Sequence, residues 1–259
     1  MGRLFGLGRA VPFVVDAASY VFSTLSLLLM RTPFQEVRAT DTTRLRSQVA
    51  DGFRFLWNQP FLRTCAFLYG LTKFIGPVVL LVVVVVGTRQ GLSSGEIGLL
   101  IAAFGASMLV GAGASPLFRS ALSARTILLL ELWTWVGSAA FVIWPNVYVL
   151  TAAIVACGFA IPVTDSVVIG YRLAITPDRL VGRVESVRST ISQVFTPLGP
   201  LAAGLLLSSV SARMTAAVFA SFGLVLALWG TLSPSIRNAP SLGELERPSK
   251  LEPSSVAPA

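Results

Sequence analysis

Four ionisable residues lie inside apolar stretches of this 259-residue chain, and their types are the ones that could do chemistry there: Asp16, Lys73, Glu131 and Asp165. An ionisable side chain at bilayer depth is costly unless it faces a water-filled cavity or a partner. Lys73 stands nine residues into an apolar window covering 64–88, roughly 13 Å from its start at helical rise, too deep to reach water by extending its stem. Asp165 precedes Arg172 by two helical turns on one face, so it reads either as a pathway residue or as an anchor near a helix end. Asp16 and Glu131 lie about 10 Å from a window boundary by the same rise, and both readings stay open for them. The four are candidates for a substrate or ion pathway.

Other chemistries are excluded by what the chain lacks. It has no histidine, which removes a Ser-His-Asp triad, histidine metal ligands and the usual histidine proton relay. Cys65 and Cys157 are too few for a disulfide framework or a four-thiolate zinc site, and both sit in apolar runs as packing residues would. No GxxxxGK[ST] loop occurs, so any energy for transport would come from an ion gradient. The expectation is a protein that is not an enzyme, with no catalytic residue, metal or cofactor.

The elements that must hold these residues follow from composition. The chain is 54% hydrophobic and 12% charged, against roughly 25% charge in soluble domains. Seven windows run for about the length that crosses a bilayer: 10–30, 64–88, 95–118, 124–144, 147–171, 189–209 and 212–232. Barrel strands would alternate over about 10 residues, whereas these runs are apolar all round. Val82 to Val86 is strand-like by itself, but a bilayer requires internal hydrogen bonding and favours helix. The fold class is therefore an all-α membrane protein of about seven transmembrane helices.

Of the 20 basic residues, 15 fall in loops on one side and 4 on the other, with Lys73 completing the set. The arginine-rich side is expected to be cytoplasmic, with the C-terminus inside. Scattered arginines do not form the clustered face that nucleic acid requires. Seven spans would leave the N-terminus outside with two arginines and no targeting signal, which hints at missing preceding helices. Four regions are expected: a first transmembrane helix in 1–30, a cytoplasmic linker in 31–63, six spans in 64–232 and a disordered tail in 233–259. In the linker, Val49, Phe53, Leu56 and Trp57 share one helical face. Such a helix would lie on the membrane surface or pack beneath the bundle.

Small residues recur at every fourth position in two spans, as Ala103, Ser107, Gly111 and Ser115 and as Gly158, Pro162, Ser166 and Gly170. These faces let helices approach closely, with ordinary bundle packing the simpler reading. Pro77, Pro162, Pro197 and Pro200 are expected to kink their spans.

Several segments resemble the major facilitator superfamily, closest to the bacterial drug-efflux branch with macrolide and siderophore exporters: GRLFGLGRAVPFVVDAASYVFSTLSLLL, GFRFLWNQPFLRT, SSGEIGLLIAAFGASMLVGA and TPDRLVGRVESVRS. The resemblance implies the sixth helix, the central loop and a six-helix C-terminal bundle of a twelve-span transporter, without the first five helices. It places Pro177, Asp178, Arg179, Gly182 and Arg183 in the cytoplasmic loop between helices ten and eleven, where they would hold helix ends in one conformational state. Ser115 to Arg119 stands where a conserved family loop recurs, without its acidic residue and glycines. The implied function is export of small amphipathic compounds or drugs at the plasma membrane. The alternatives are a transport-inactive fragment and, on helix count alone, a seven-span receptor or membrane enzyme. The implied partners are the lipid bilayer, a small-molecule substrate, and either a missing N-terminal half or a homo-oligomer.

Overall fold

The computed structural model describes residues 11–29 and 45–238, and all regular structure among them is helical. The helices are α1 Val11–Leu29, α2 Leu45–Asn58, α3 Pro60–Arg89 and α4 Ser94–Ala121. They continue as α5 Ala124–Ile143, with one 3-10 turn at Gly137–Ala139, and α6 Val147–Ile175. The last four are α7 Val181–Phe195, α8 Leu198–Ser209, α9 Ala212–Leu232 and the short α10 Pro234–Arg237.

Six helical stretches among the described residues are long and apolar enough to cross a membrane: α3, α4, α5, α6, α7 joined to α8, and α9. The expected first span, 10–30, is helical as α1, but its apolar part, Asp16–Leu29, is shorter than the other six. Its described side chains are exposed. The segments 1–10 and 30–44 and the chain beyond 238 lie outside the described residues, and most of the expected tail and half the expected linker fall there.

Local sequence starts and stops the spans. Ser93 and Glu96 form a reciprocal capping box at α4, with Ser93 N donating to Glu96 Oε2 over 2.8 Å and Glu96 N donating to Ser93 Oγ over 3.3 Å. Ser123, Asn146 and Ser211 cap α5, α6 and α9 by accepting backbone N–H groups. The turn from α3 to α4 needs a left-handed residue, which Gly91 supplies at φ +83°. The β-branched run Val82 to Val86 is helical, with Val82, Val83 and Val86 buried.

α3 is the central helix, with Leu68, Ile75, Val78 and Val83 fully enclosed among α6, α7, α8 and α9. Beside it α4 lies on α6, and the two small-residue stripes meet there. A Cβ on Gly111 would collide with the Phe159 carbonyl, and one on Gly158 with the Ser107 hydroxyl and Phe104 ring. Ser115 Oγ donates to Gly111 O over 2.9 Å and reaches Pro162 O at 3.4 Å. These stripes serve packing between two helices.

The short loops divide into two ends. At one end Gln90 Nε2 donates to Pro145 O over 2.9 Å while Val147 N donates to Gln90 Oε1 over 3.2 Å, joining the α3–α4 turn to the start of α6. Arg213 Nε donates to Val142 O there, tying α9 to α5. Gln90→Ala removes both bonds of that clamp and should cost about 1 kcal/mol, read as a lower unfolding midpoint in detergent.

The opposite, arginine-rich end holds α2, the 176–180 turn and α10. Three expectations are corrected here. Leu56 is buried while Val49, Phe53 and Trp57 stay about half exposed, so the apolar residues of α2 divide between two directions. The tail begins with structure rather than disorder: Pro234 starts α10 and Ile236 is wholly buried against the foot of α3. Ser115 to Arg119 is helical within α4, in keeping with the window 95–118, and the helix continues through Pro116. The window placed at 189–209 starts earlier, because α7 is already helical at Val181 and so carries Arg183 and Arg188 inside a helix. That span breaks at Thr196 and Pro197, where Pro197 and Pro200 withhold backbone N–H groups.

Candidate functional site

Three of the four candidate charges lie in the half of their helices nearer the arginine-rich end. By helical rise, Lys73 is about 20 Å beyond Pro60, Asp165 about 15 Å before Ile175, and Glu131 about 10 Å beyond Ala124. Lys73 is deeper than its apolar window implied because α3 starts at Pro60. Its place on the helix, turned away from Leu68 and Ile75, leaves its side chain exposed. Asp165 is exposed on α6, whereas Glu131 on α5 is only 3% exposed.

The packing of α3 between α5, α6 and α7 brings these groups together. Glu131 lies within electrostatic reach of Asp165 and Lys73, and Asp165 within reach of Lys73, Arg188, Arg172 and Glu185. The six comprise three basic side chains and three carboxyl groups. Asp16 is not part of it: it sits on α1 with an exposed side chain, its backbone carbonyl accepting from Ser19 Oγ over 2.7 Å.

Glu131 occupies a polar niche within apolar packing. Its carboxyl has the Thr164 hydroxyl and the Trp135 indole as polar neighbours. Trp135 is buried against Gly76 and Gly223, and its Nε1 makes no full hydrogen bond among the described residues. Tyr69, one turn before Lys73, donates its hydroxyl to Leu128 O over 3.1 Å and locks α3 to α5. Cys65 and Cys157 are free and buried beside this niche.

Glu185 is the hub at the foot of the cluster. Its Oε2 meets Arg172 NH1 at 2.5 Å and accepts from Arg188 Nε over 3.1 Å, while Oε1 accepts from Arg188 NH2 over 2.6 Å. The Arg172 contact joins the end of α6 to α7. One fork from Arg188 and a single contact from Arg172 on one carboxylate let three charges sit among packed helices.

The loop motif divides between two roles. Pro177, Asp178 and Arg179 form the turn after α6, closed by Leu180 N donating to Pro177 O over 2.7 Å. Gly182 and Arg183 are in the first turn of α7. Arg183 pairs with Asp51 at 3.3 Å, and a Cβ on Gly52 would lie 2.7 Å from the Arg183 carbonyl oxygen. Gly52 therefore lets the α2 backbone lie directly on α7.

Sequence reasoning missed Glu185, Arg188 and the polar flank of α7, where Ser186, Thr190 and Gln193 are exposed within a span. The signal was present as polar residues at helical spacing and an i,i+3 Glu–Arg pair, but Val181–Phe195 is too polar to stand out among apolar windows.

The arrangement presents opposite charges and hydroxyl and amide groups on an open face of a membrane bundle, with a carboxyl buried behind them. The family model described as the Major Facilitator Superfamily matches residues 64–258. No curated protein matches the chain.

Proposed function

Since the chain belongs to the Major Facilitator Superfamily and is a multi-pass membrane transporter of that type, we propose that it exports small amphipathic compounds along the face bearing Lys73 and Asp165. The observation that carries this reading is that these two opposite charges are exposed at mid-span depth beside the buried Glu131. Each would cost about 3 kcal/mol if turned to lipid. They therefore suit a face that closes on a second bundle with substrate and water between. That bundle is either a preceding segment of the same polypeptide or a second copy. Lys73 and Asp165 line the route, Glu131 takes up the coupling ion behind them, and the exposed flank of α7 adds neutral polar contacts. One cation and one anion among apolar helices suit amphipathic substrates of either charge. The outward direction rests on resemblance to the drug-efflux branch. The arginine distribution supports a cytoplasmic C-terminus, and the plasma membrane rests on the same resemblance.

The open polar face also favours a second reading, a bundle inactive by itself, because alternating access needs two bundles moving against each other. Everted vesicles carrying the chain, energised and supplied from outside with a panel of fluorescent amphipathic dyes, separate the two. Dye accumulation that Asp165→Asn removes supports export. No accumulation by the chain alone, restored by an upstream five-helix extension, supports the inactive bundle. No accumulation in either form overturns export of such compounds.

A further inference from the structure

A second feature stands on the outer surface of the arginine-rich end. α7 and α8 carry an apolar stripe from Val187 and Ile191 through the exposed Val194, Leu198, Leu201 and Leu205. At helical rise it extends about 27 Å, close to the hydrocarbon thickness of a bilayer. At its arginine-rich end the stripe runs under α2 and opens into a groove of 430 Å³, lined on its apolar side by Val49, Phe53, Val187 and Ile191. Gln48, Arg183, Ser186 and Thr190 supply the polar rim.

The exposed apolar flank of α2 lengthens this surface. Phe53 stacks on Trp57 with ring centroids 5.4 Å apart, and Trp57 meets the edge of Phe67, two turns into α3, at 6.2 Å. Cations bracket the flank. Arg63 lies over the Trp57 ring at 5.2 Å and donates to the Trp57 carbonyl over 3.2 Å. Arg46 is exposed two turns before Phe53 on the same side of α2. An aromatic and apolar strip continuous with a membrane span and flanked by arginines is the pattern of a helix lying in the headgroup region.

We propose that the groove between α2 and α7 holds a phospholipid of the surrounding bilayer, one acyl chain against Phe53 and Ile191 and an anionic headgroup at Arg46, at the start of α2. Continuity with the hydrocarbon-length stripe supplies the route for the chain. The flanking cations favour phosphatidylglycerol-type over zwitterionic headgroups. The groove shares Ser186 and Thr190 with the polar flank of α7, but neither Lys73 nor Asp165 lines it, and its occupancy is read without any transport assay.

The test is native mass spectrometry of the full chain purified from nanodiscs of phosphatidylcholine alone or mixed with phosphatidylglycerol. One retained phosphatidylglycerol per chain is expected, with about tenfold weaker retention in Phe53→Asp and in Arg46→Gln, each about 1.4 kcal/mol. Both residues are exposed, so the fold should survive, and circular dichroism checks this. Equal retention of the two lipids overturns the proposal, as does undiminished retention in both variants. Displacement by inorganic phosphate with no effect of Phe53→Asp would make it a free-anion site and overturns it too. Disulfide linkage of two copies through Val49→Cys in phosphatidylglycerol nanodiscs would make the flank an interface between copies and would likewise overturn the lipid site.

Discussion

Exchanging the two charges, Lys73→Asp with Asp165→Lys, is expected to restore a measurable part of the transport that Lys73→Ala or Asp165→Ala each abolishes. Both side chains stand on one open face within electrostatic reach of each other, and both sense Glu131. Removing one leaves the other without its opposite charge in a low-dielectric setting, where an uncompensated charge costs about 3 kcal/mol. A transport loss of a hundredfold or more follows from that magnitude. The exchange keeps the local charge sum and should recover transport above either single variant. Initial rates of dye accumulation in vesicles, for the singles and the exchange at matched protein levels, measure the coupling. An exchange no better than the product of two singles would mean that the residues act separately, as when Asp165 works only through Arg172 and Arg188.

Gly111→Leu should largely abolish the folded bundle, while Gly113→Leu two residues on should leave it intact. Even a single Cβ at Gly111 would collide with the Phe159 backbone, which cannot swing aside as a side chain can, and so would force α4 from α6. Overpacking of this kind costs about 3 kcal/mol, a large part of the stability of most folds. At Gly113 no atom lies within 4 Å of the added carbon. The side chain there turns outward, and the change in stability should stay within about 0.5 kcal/mol. Yield of monodisperse protein and its unfolding midpoint in mild detergent report both. Equal behaviour of the two variants would mean that the α4–α6 contact does not limit stability.

The apolar windows were legible because length and hydrophobicity are local properties. Pro60–Arg89 and Ala212–Leu232 read as helices from composition alone, and even the valine run of α3 could be placed by the demand for internal hydrogen bonds. The start of α7 was not legible. Arg183, Glu185 and Arg188 looked like loop charges, and they are helical because Glu185 meets Arg172 and Arg188 while Asp51 meets Arg183. Compensation between charges on different helices leaves no local trace. The apolar residues of α2 were identified, but Gly52 decides which of them turn inward, since only there can the α2 backbone lie on α7.

By itself the sequence determined that this protein is a set of membrane-crossing helices with charges buried in them, because backbone hydrogen bonding in lipid must be satisfied within each helix and each run of residues meets that demand alone. It also determined that Lys73, Glu131 and Asp165 lie inside spans, while the structure fixed how deep, since α3 begins at Pro60, ahead of its apolar window. Only the tertiary structure decided that those three share a cluster with Arg172, Glu185 and Arg188 while Asp16 stands outside it. Rotation of each helix about its axis sets which residues meet. That rotation is set by where glycines such as Gly111, Gly158 and Gly199 let backbones and neighbouring side chains come together, a relation between distant segments that no single segment contains.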